Sequence, residues 1–221
     1  LLAGRAGLGP TEFLNRAQTM QALPGVSPHG LRGGVRYWDG QFDDARLAIA
    51  LARTAEAAGA RMFNHAQVTA IASDSDGHAV TVRDRIGGGE YRVRARCVVN
   101  ATGVWVDAMR QAAGTPSHMV SPSQGVHVVV DREFLGGEHA LLVPKTRDGR
   151  VLFAVPWLGK VILGTTDTPR QDLAREPEPF ADELAFILDE ASRALSRPVG
   201  RSDIRRLWVG FRPLVAPPAE G

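Results

Sequence analysis

The chain has 221 residues, 44% of them hydrophobic and 23% charged, and a formal net charge of +2. That is an ordinary globular composition, long enough for one large domain or parts of two. It excludes a helical membrane span, because no run approaches the roughly 18 apolar residues needed, and an internal disulfide, because Cys97 is the single cysteine.

Residues 1 to 42 are rich in Gly and Pro, with one helix expected from Leu14 to Leu23 before Pro24-Gly25. The chain opens on Leu1-Leu2 rather than Met, and it shows no signal peptide. Asp43 or Asp44 then suits an N-cap. Ala45 to Ala58 is nearly all strong helix formers, with Leu47 and Leu51 four apart and Gly59 as the stop. Short strands follow at Arg61 to Asn64 and Ala66 to Ala72. Ala79 to Arg83 and Glu90 to Arg94 make a hairpin about the Gly87-Gly88-Gly89 turn.

Cys97 to Ala101 reads as a continuous apolar strand buried on both faces, with Cys97 as core filling. Gly103 breaks it, and Trp105 to Ala112 is helical. Beyond a boundary near residue 113, strands are expected at Val126 to Val130, Ala140 to Val143, Val151 to Pro156 and Val161 to Leu163. These form a mostly antiparallel meander, covered by a helix from Phe180 to Ala194 and closed by a strand from Arg206 to Phe211. The first half has β–α–β character and the second is a sheet with a helix on it, a nucleotide-binding piece joined to a substrate-binding piece.

Only Lys145 and Lys160 are lysines, and the arginines are scattered beside Asp and Glu. With no aromatic-and-basic motif, this is solvated surface charge and no nucleic-acid partner is expected. No metal site is expected either. Gly4 to Gly9 is glycine-rich, but it has neither the Gly-x-Gly-x-x-Gly spacing nor a strand before it.

The string Val98-Val99-Asn100-Ala101-Thr102-Gly103-Val104-Trp105 carries the clearest chemistry. A buried strand running into a Gly turn and a helix places backbone at the crevice where dinucleotides bind, and the helix start offers free N–H groups to an anion. A plain strand–turn–helix corner is the competing reading.

This string resembles the second dinucleotide signature of the D-amino-acid-oxidase-like flavoproteins. Four others narrow the resemblance to FAD-dependent glycerol-3-phosphate dehydrogenases. They are Gly33-Gly34-Val35-Arg36-Tyr37-Trp38-Asp39-Gly40-Gln41-Phe42-Asp43-Asp44-Ala45-Arg46-Leu47, Pro122-Ser123-Gln124-Gly125-Val126-His127, Val155-Pro156-Trp157 with Gly164-Thr165-Thr166-Asp167-Thr168, and Gly210-Phe211-Arg212-Pro213-Leu214. The resemblance implies an α/β (α+β) fold: a partial Rossmann-like FAD-binding domain over residues 43–112 and an antiparallel-sheet substrate domain over 113–221. Residues 1–42 would be a substrate-domain segment and crossover.

It implies FAD as cofactor, held by Val68, Ala101, Thr102, Gly103 and Trp105. It implies Arg212 as the clamp on the substrate phosphate, Thr166 and Asp167 as further substrate contacts, and His127 as the catalytic base. The reaction would be oxidation of sn-glycerol 3-phosphate to dihydroxyacetone phosphate, with hydride passing from C2 to flavin N5. Electrons would go to a membrane quinone, from a cytoplasmic protein in peripheral contact with the inner membrane face and assembled as a homodimer. Trp38, Trp157 and Trp208 would be core or cavity wall. An amine or amino-acid oxidase of the same superfamily is the alternative, because arginine also clamps carboxylates.

Three parts of the family pattern are missing: an N-terminal Gly-x-Gly-x-x-Gly, an upstream arginine, and a downstream Gly-Gly-Lys-x-Thr-Thr-Tyr. The chain therefore reads as an internal stretch that is inactive by itself, binding flavin weakly or acting as a non-catalytic binding fragment.

Overall fold

The computed structural model describes residues 7–217, so Leu1-Leu2, Gly4 and the tail from Pro218 to Gly221 lie outside the described residues. The chain forms two compact units, residues 1–38 with 121–221 and residues 39–120.

In the first unit, strand β1 (Glu12–Asn15) pairs antiparallel with β2 (Gly33–Arg36), and helix α1 (Arg16–Ala22) lies between them in the chain. The helix starts later than Leu14 because Asn15 caps it: its Oδ1 accepts from the Gln18 N–H at 3.0 Å. The main sheet has six strands. In space β10 (Thr168–Pro169), β6 (Val120–Asp131), β9 (Lys160–Gly164), β8 (Leu152–Trp157) and β7 (Leu141–Val143) follow one another, and β11 (Arg206–Val215) also pairs with β6. Its β7–β8–β9 part is the expected meander. The last strand continues through Pro213, four residues past the expected end. A residue that donates no ladder hydrogen bond is tolerated at a sheet edge, and among the described residues β11 has β6 as its one partner.

The core follows from periodicity. Val126, Val128 and Val130 of β6 are fully buried, whereas His127 and Val129 between them are half-buried. Helix α4 (Ala181–Ala194) packs on β8 and β9 and buries Leu184, Ile187, Leu188 and Ala191 at helical spacing. Leu135, Leu152, Val161 and Leu163 complete this cluster. The Thr146 to Arg150 loop ties to α4 through Arg147 with Glu190 at 2.9 Å and Arg150 stacked over Phe186.

The second unit comprises α2 (Asp44–Ala57), a three-stranded antiparallel sheet of β3 (Ala66–Asp74), β4 (Gly77–Asp84) and β5 (Glu90–Ala95), and α3 (Val106–Ala112) after a single 3-10 turn, Gly103–Trp105. Helix α2 is set locally: Asp43 caps it by accepting from the Arg46 N–H at 3.0 Å, and none of its residues is buried. Among the described residues, Val80 and Val104 are this unit's buried hydrophobics.

Two expectations are corrected here. Neither Arg61 to Asn64 nor Cys97 to Ala101 is a strand; Cys97 is exposed and Val99 is 84% exposed. An apolar run becomes a strand only by pairing, and among the described residues the sheet ends at β5 on this side, with nothing laddered to residues 97–101. For the same reason no parallel pairing occurs among the described residues. The fold is mixed α/β with antiparallel sheets. No helix among the described residues is long and apolar enough to cross a membrane.

The uneven core predicts uneven sensitivity. Ile187→Ala should lower the unfolding free energy by about 2–5 kcal/mol in a urea titration. Leu47→Ala, on a helix 45% exposed at that position, should cost no more than about 0.5 kcal/mol. Equal losses would contradict the assignment of the core.

Candidate functional site

Arg212 of β11 lies on the backbone of β6. Gly125 makes this possible: a Cβ there would stand 2.4 Å from Arg212 Nη2 and 2.7 Å from Thr165 Oγ1. The guanidinium is held from below by the segment after β9. Its Nη2 donates to Thr165 Oγ1 at 2.8 Å, and Nη1 donates to the Thr166 carbonyl at 3.0 Å and reaches Asp167 Oδ1 at 3.4 Å. Asp167 also accepts a hydrogen bond from the Ser123 hydroxyl. Among the described residues, Arg212 Nε has no partner, and the side chain is 33% exposed. A planar fork oriented this way, with donors to spare, suits a tetrahedral oxyanion or a carboxylate.

Thr166 is placed differently from the expectation. It is fully buried, and its hydroxyl points away from Arg212. That hydroxyl accepts from the Val126 N–H at 3.0 Å and donates to Glu183 Oε1 at 3.0 Å. What Thr166 offers the site is its carbonyl.

Glu183, in the first turn of α4, is 4% exposed, and four donors fill its carboxylate. Oε1 accepts from Thr166 and, at 2.6 Å, from Thr168; Oε2 accepts from Gln124 Nε2 at 2.7 Å and from the Phe180 N–H at 2.9 Å. Arg170 donates to the other end of the Gln124 amide and lies between the Phe180 and Phe211 rings. Sequence reasoning missed Glu183, Gln124, Arg170 and Ser123. The one signal available was Ser123-Gln124 directly before Gly125 in a quoted string; nothing ties Gln124 to a glutamate 59 positions away.

His127 sits two residues from Gly125 on the half-buried face of β6, opposite Gly164 in the ladder. Its ring stacks on Trp208 of β11, with centroids 5.4 Å apart and planes 20° apart. Neither ring nitrogen has a hydrogen-bond partner among the described residues; Nδ1 is buried, and Nε2 is not. Burial pushes the imidazole pKa below its usual range, and the Arg212 charge pushes it further the same way. The result is a neutral imidazole near a fixed guanidinium. Of the tryptophans read as core or cavity wall, Trp208 is 43% exposed and, with Glu178 and Leu207, lines an open groove of about 410 Å³. Trp38, by contrast, is 58% exposed.

The residues expected at the cofactor all lie in the second unit. Asn100 organises their turn: its Oδ1 accepts from the Thr102 hydroxyl at 2.8 Å, and its Nδ2 donates to the Val106 carbonyl at 2.9 Å. Gly103 has φ +59°, and nothing stands within 4 Å of where its Cβ would be. Ala101 is exposed and Trp105 is 39% exposed. This is an open backbone cradle, able to receive a flat or phosphorylated group at van der Waals distance. Val68 lies on β3 beside a bulge between Val68 and Ala70.

A protein-family model described as FAD dependent oxidoreductase (DAO) matches residues 1–220. The chain is 38% identical to "Glycerol-3-phosphate dehydrogenase SDP6, mitochondrial" of Arabidopsis thaliana, over 99% of this chain and 36% of that protein. It is 36% identical to "Glycerol-3-phosphate dehydrogenase, mitochondrial" of Homo sapiens, over 99% of this chain and 31% of that protein. The chain thus spans about a third of the length of the curated relatives it matches. Among solved structures it resembles glycerol-3-phosphate dehydrogenase from Bacillus halodurans complexed with FAD, with a TM-score of 0.84, 31% identity, 92% of this chain and 42% of that one. Glycine oxidase from Geobacillus kaustophilus gives a TM-score of 0.69 at 26% identity, over 96% of this chain and 53% of that one.

The His127 environment has a pH consequence. Its folded-state pKa lies below the unfolded value near 6.5, so the unfolded chain binds this proton first as pH falls. The ring's contribution to stability is complete above that value and is lost as pH drops from it toward the lower folded-state pKa. An NMR titration of the His127 ring should give a midpoint below about 6.5, moving upward in Arg212→Gln. A midpoint at or above the unfolded value would contradict the burial and charge argument.

Proposed function

This chain belongs to the FAD dependent oxidoreductase family (DAO), and we propose that it takes part in oxidising sn-glycerol 3-phosphate to dihydroxyacetone phosphate. The observation that carries this reading is Arg212 fixed over Gly125 with the neutral His127 two residues along the same strand. Arg212 binds the phosphate, using donors that Thr165 and Thr166 leave free. His127 takes the C2 hydroxyl proton at Nε2, the ring nitrogen that is not buried. The lowered pKa keeps that nitrogen free to accept, and the imidazolium then formed returns the proton to water. Asp167, beside the clamp, accepts from a glycerol hydroxyl. Thr166 acts through its carbonyl, which orients Arg212.

The cofactor would be held by Val68, Ala101, Thr102, Gly103 and Trp105, where the open backbone at Gly103 leaves room for it. FAD supplies the two-electron acceptor for the hydride that leaves C2. The acceptor we propose beyond it is a membrane quinone, met by peripheral contact from the cytoplasmic side. The relatives are named mitochondrial.

The likeness to a glycine oxidase favours one second reading, in which Arg212 holds an amino-acid carboxylate. The two separate cleanly. The full-length protein should reduce dye with glycerol 3-phosphate and release no ammonia from glycine; equal rates with glycerol 3-phosphate, glycerol and glycine would overturn the substrate assignment. Arg212→Lys removes the bidentate fork. Losing one charge-assisted hydrogen bond, worth about 1.5–3 kcal/mol, should raise KM for glycerol 3-phosphate about 10- to 100-fold.

A further inference from the structure

We infer that Glu183, a buried carboxylate that touches no substrate in this reading, is the positioning residue that sets the geometry of the anion clamp; the inference rests on Arg212 being that clamp. A carboxylate taken out of water is costly unless its lone pairs are satisfied. Here each oxygen accepts two hydrogen bonds. One donor, the Phe180 N–H, belongs to the start of α4 itself. The other three reach in from elsewhere: Gln124 on β6, and Thr166 and Thr168 on either side of Asp167.

That flanking is the key. In an extended segment alternate side chains point to opposite sides. Thr166 and Thr168 are fastened to Glu183, so Asp167 between them is turned the other way, toward Arg212 and Ser123. The same fastening fixes the Thr166 peptide, whose carbonyl accepts from Arg212 Nη1. Glu183 therefore holds both ends of the three-residue segment beneath the guanidinium.

The network also has a direction. Arg170 donates to Gln124 Oε1, which obliges the Gln124 amide to present Nε2 to Glu183. Arg170 is in turn held against Phe211, the residue before Arg212. The chain of contacts leaves Glu183 through Gln124 and Arg170, reaches β11 at Phe211, and returns through Arg212 and Thr166. A structural role alone would need a buried acceptor here. It would not need the segment it fastens to be the one that orients the clamp.

The test uses the full-length protein. In Glu183→Gln the new amide places N–H groups against two donors, the Phe180 N–H and Gln124 Nε2, so the segment shifts. KM for glycerol 3-phosphate and the Ki of inorganic phosphate as a competitor should rise together, about tenfold, while kcat changes by less than about twofold. The exchange Glu183→Gln with Gln124→Glu gives the new amide an acceptor and Arg170 a carboxylate, but it sets an oxygen against the Glu178 carbonyl to which Gln124 Nε2 donates at 3.1 Å and leaves the Phe180 N–H facing a donor; it should recover part of the loss, with both constants between the starting and the Glu183→Gln values. Thr168→Val, which removes one donor and leaves the carboxylate in place, should give a smaller rise of about two- to threefold. It keeps the inference testable if Glu183→Gln does not fold.

Unchanged KM and Ki in a folded Glu183→Gln, or in Thr168→Val when Glu183→Gln fails to fold, would overturn the inference. So would a parallel fall in kcat and thermal stability with no rescue by the exchange. If the unchanged protein shows no inhibition by phosphate and no preference for glycerol 3-phosphate over glycerol, the clamp reading fails first and the inference falls with it.

Discussion

The guanidinium of Arg212 rests on a strand that has no side chain at the point of contact. Gly125 is the space Arg212 occupies: a single added carbon would meet Nη2 at 2.4 Å. Close approach of a cation to a buried strand is expensive unless its hydrogen bonds are arranged in advance, and the turn after β9 does this with one hydroxyl and one carbonyl. The six-stranded sheet can be understood from this contact. β6 must be flat and glycine-bearing at residue 125, β11 must run alongside it to deliver the arginine, and β9 must end where Thr165 and Thr166 can turn beneath.

Charge is placed in layers around that contact. Arg212 is partly open to solvent, Asp167 pairs with it at the surface, and Glu183 lies one layer deeper with every lone pair used. His127 is the exception. Among the described residues it has neither a carboxylate nor a backbone partner, and the nearby guanidinium disfavours its protonation. A histidine in a structural role is ordinarily tied to a carbonyl or a carboxylate. One left untied and neutral, stacked on Trp208, is suited to accepting a proton from something that arrives.

The two units are built on different principles. In the first, a helix and a sheet share a continuous core, and among the described residues its buried side-chain polar atoms are hydrogen-bonded except His127 Nδ1 and Arg36 Nε. In the second, local rules do most of the work: Asp43 caps α2, the glycine turn joins β4 to β5, and Asn100 ties the turn at Thr102 and Gly103 to Val106. Little apolar surface there is buried among the described residues. The residues proposed to hold the cofactor lie on this locally determined framework, where main-chain position matters more than side-chain identity.

The elements that local chemistry determines were legible in the chain alone. The alternation of Val126, Val128 and Val130 placed His127 on the opposite face, because the strand period is two. Asp43 and Ala45 to Ala58 announced a helix through capping and propensity, and the resemblance pointed to Arg212 before its surroundings were known. What depends on partners distant in sequence was not legible. Cys97 to Ala101 has the composition of a buried strand, yet a strand exists only where another backbone pairs with it. Thr166 looked like a substrate contact until the fold turned its hydroxyl inward, and Glu183 looked like one more helix-start acid. Its role was decided by tertiary structure, because a carboxylate's meaning lies in which donors surround it, and those donors come from residues 124, 166, 168 and 180, brought together only when β6, β10 and α4 pack.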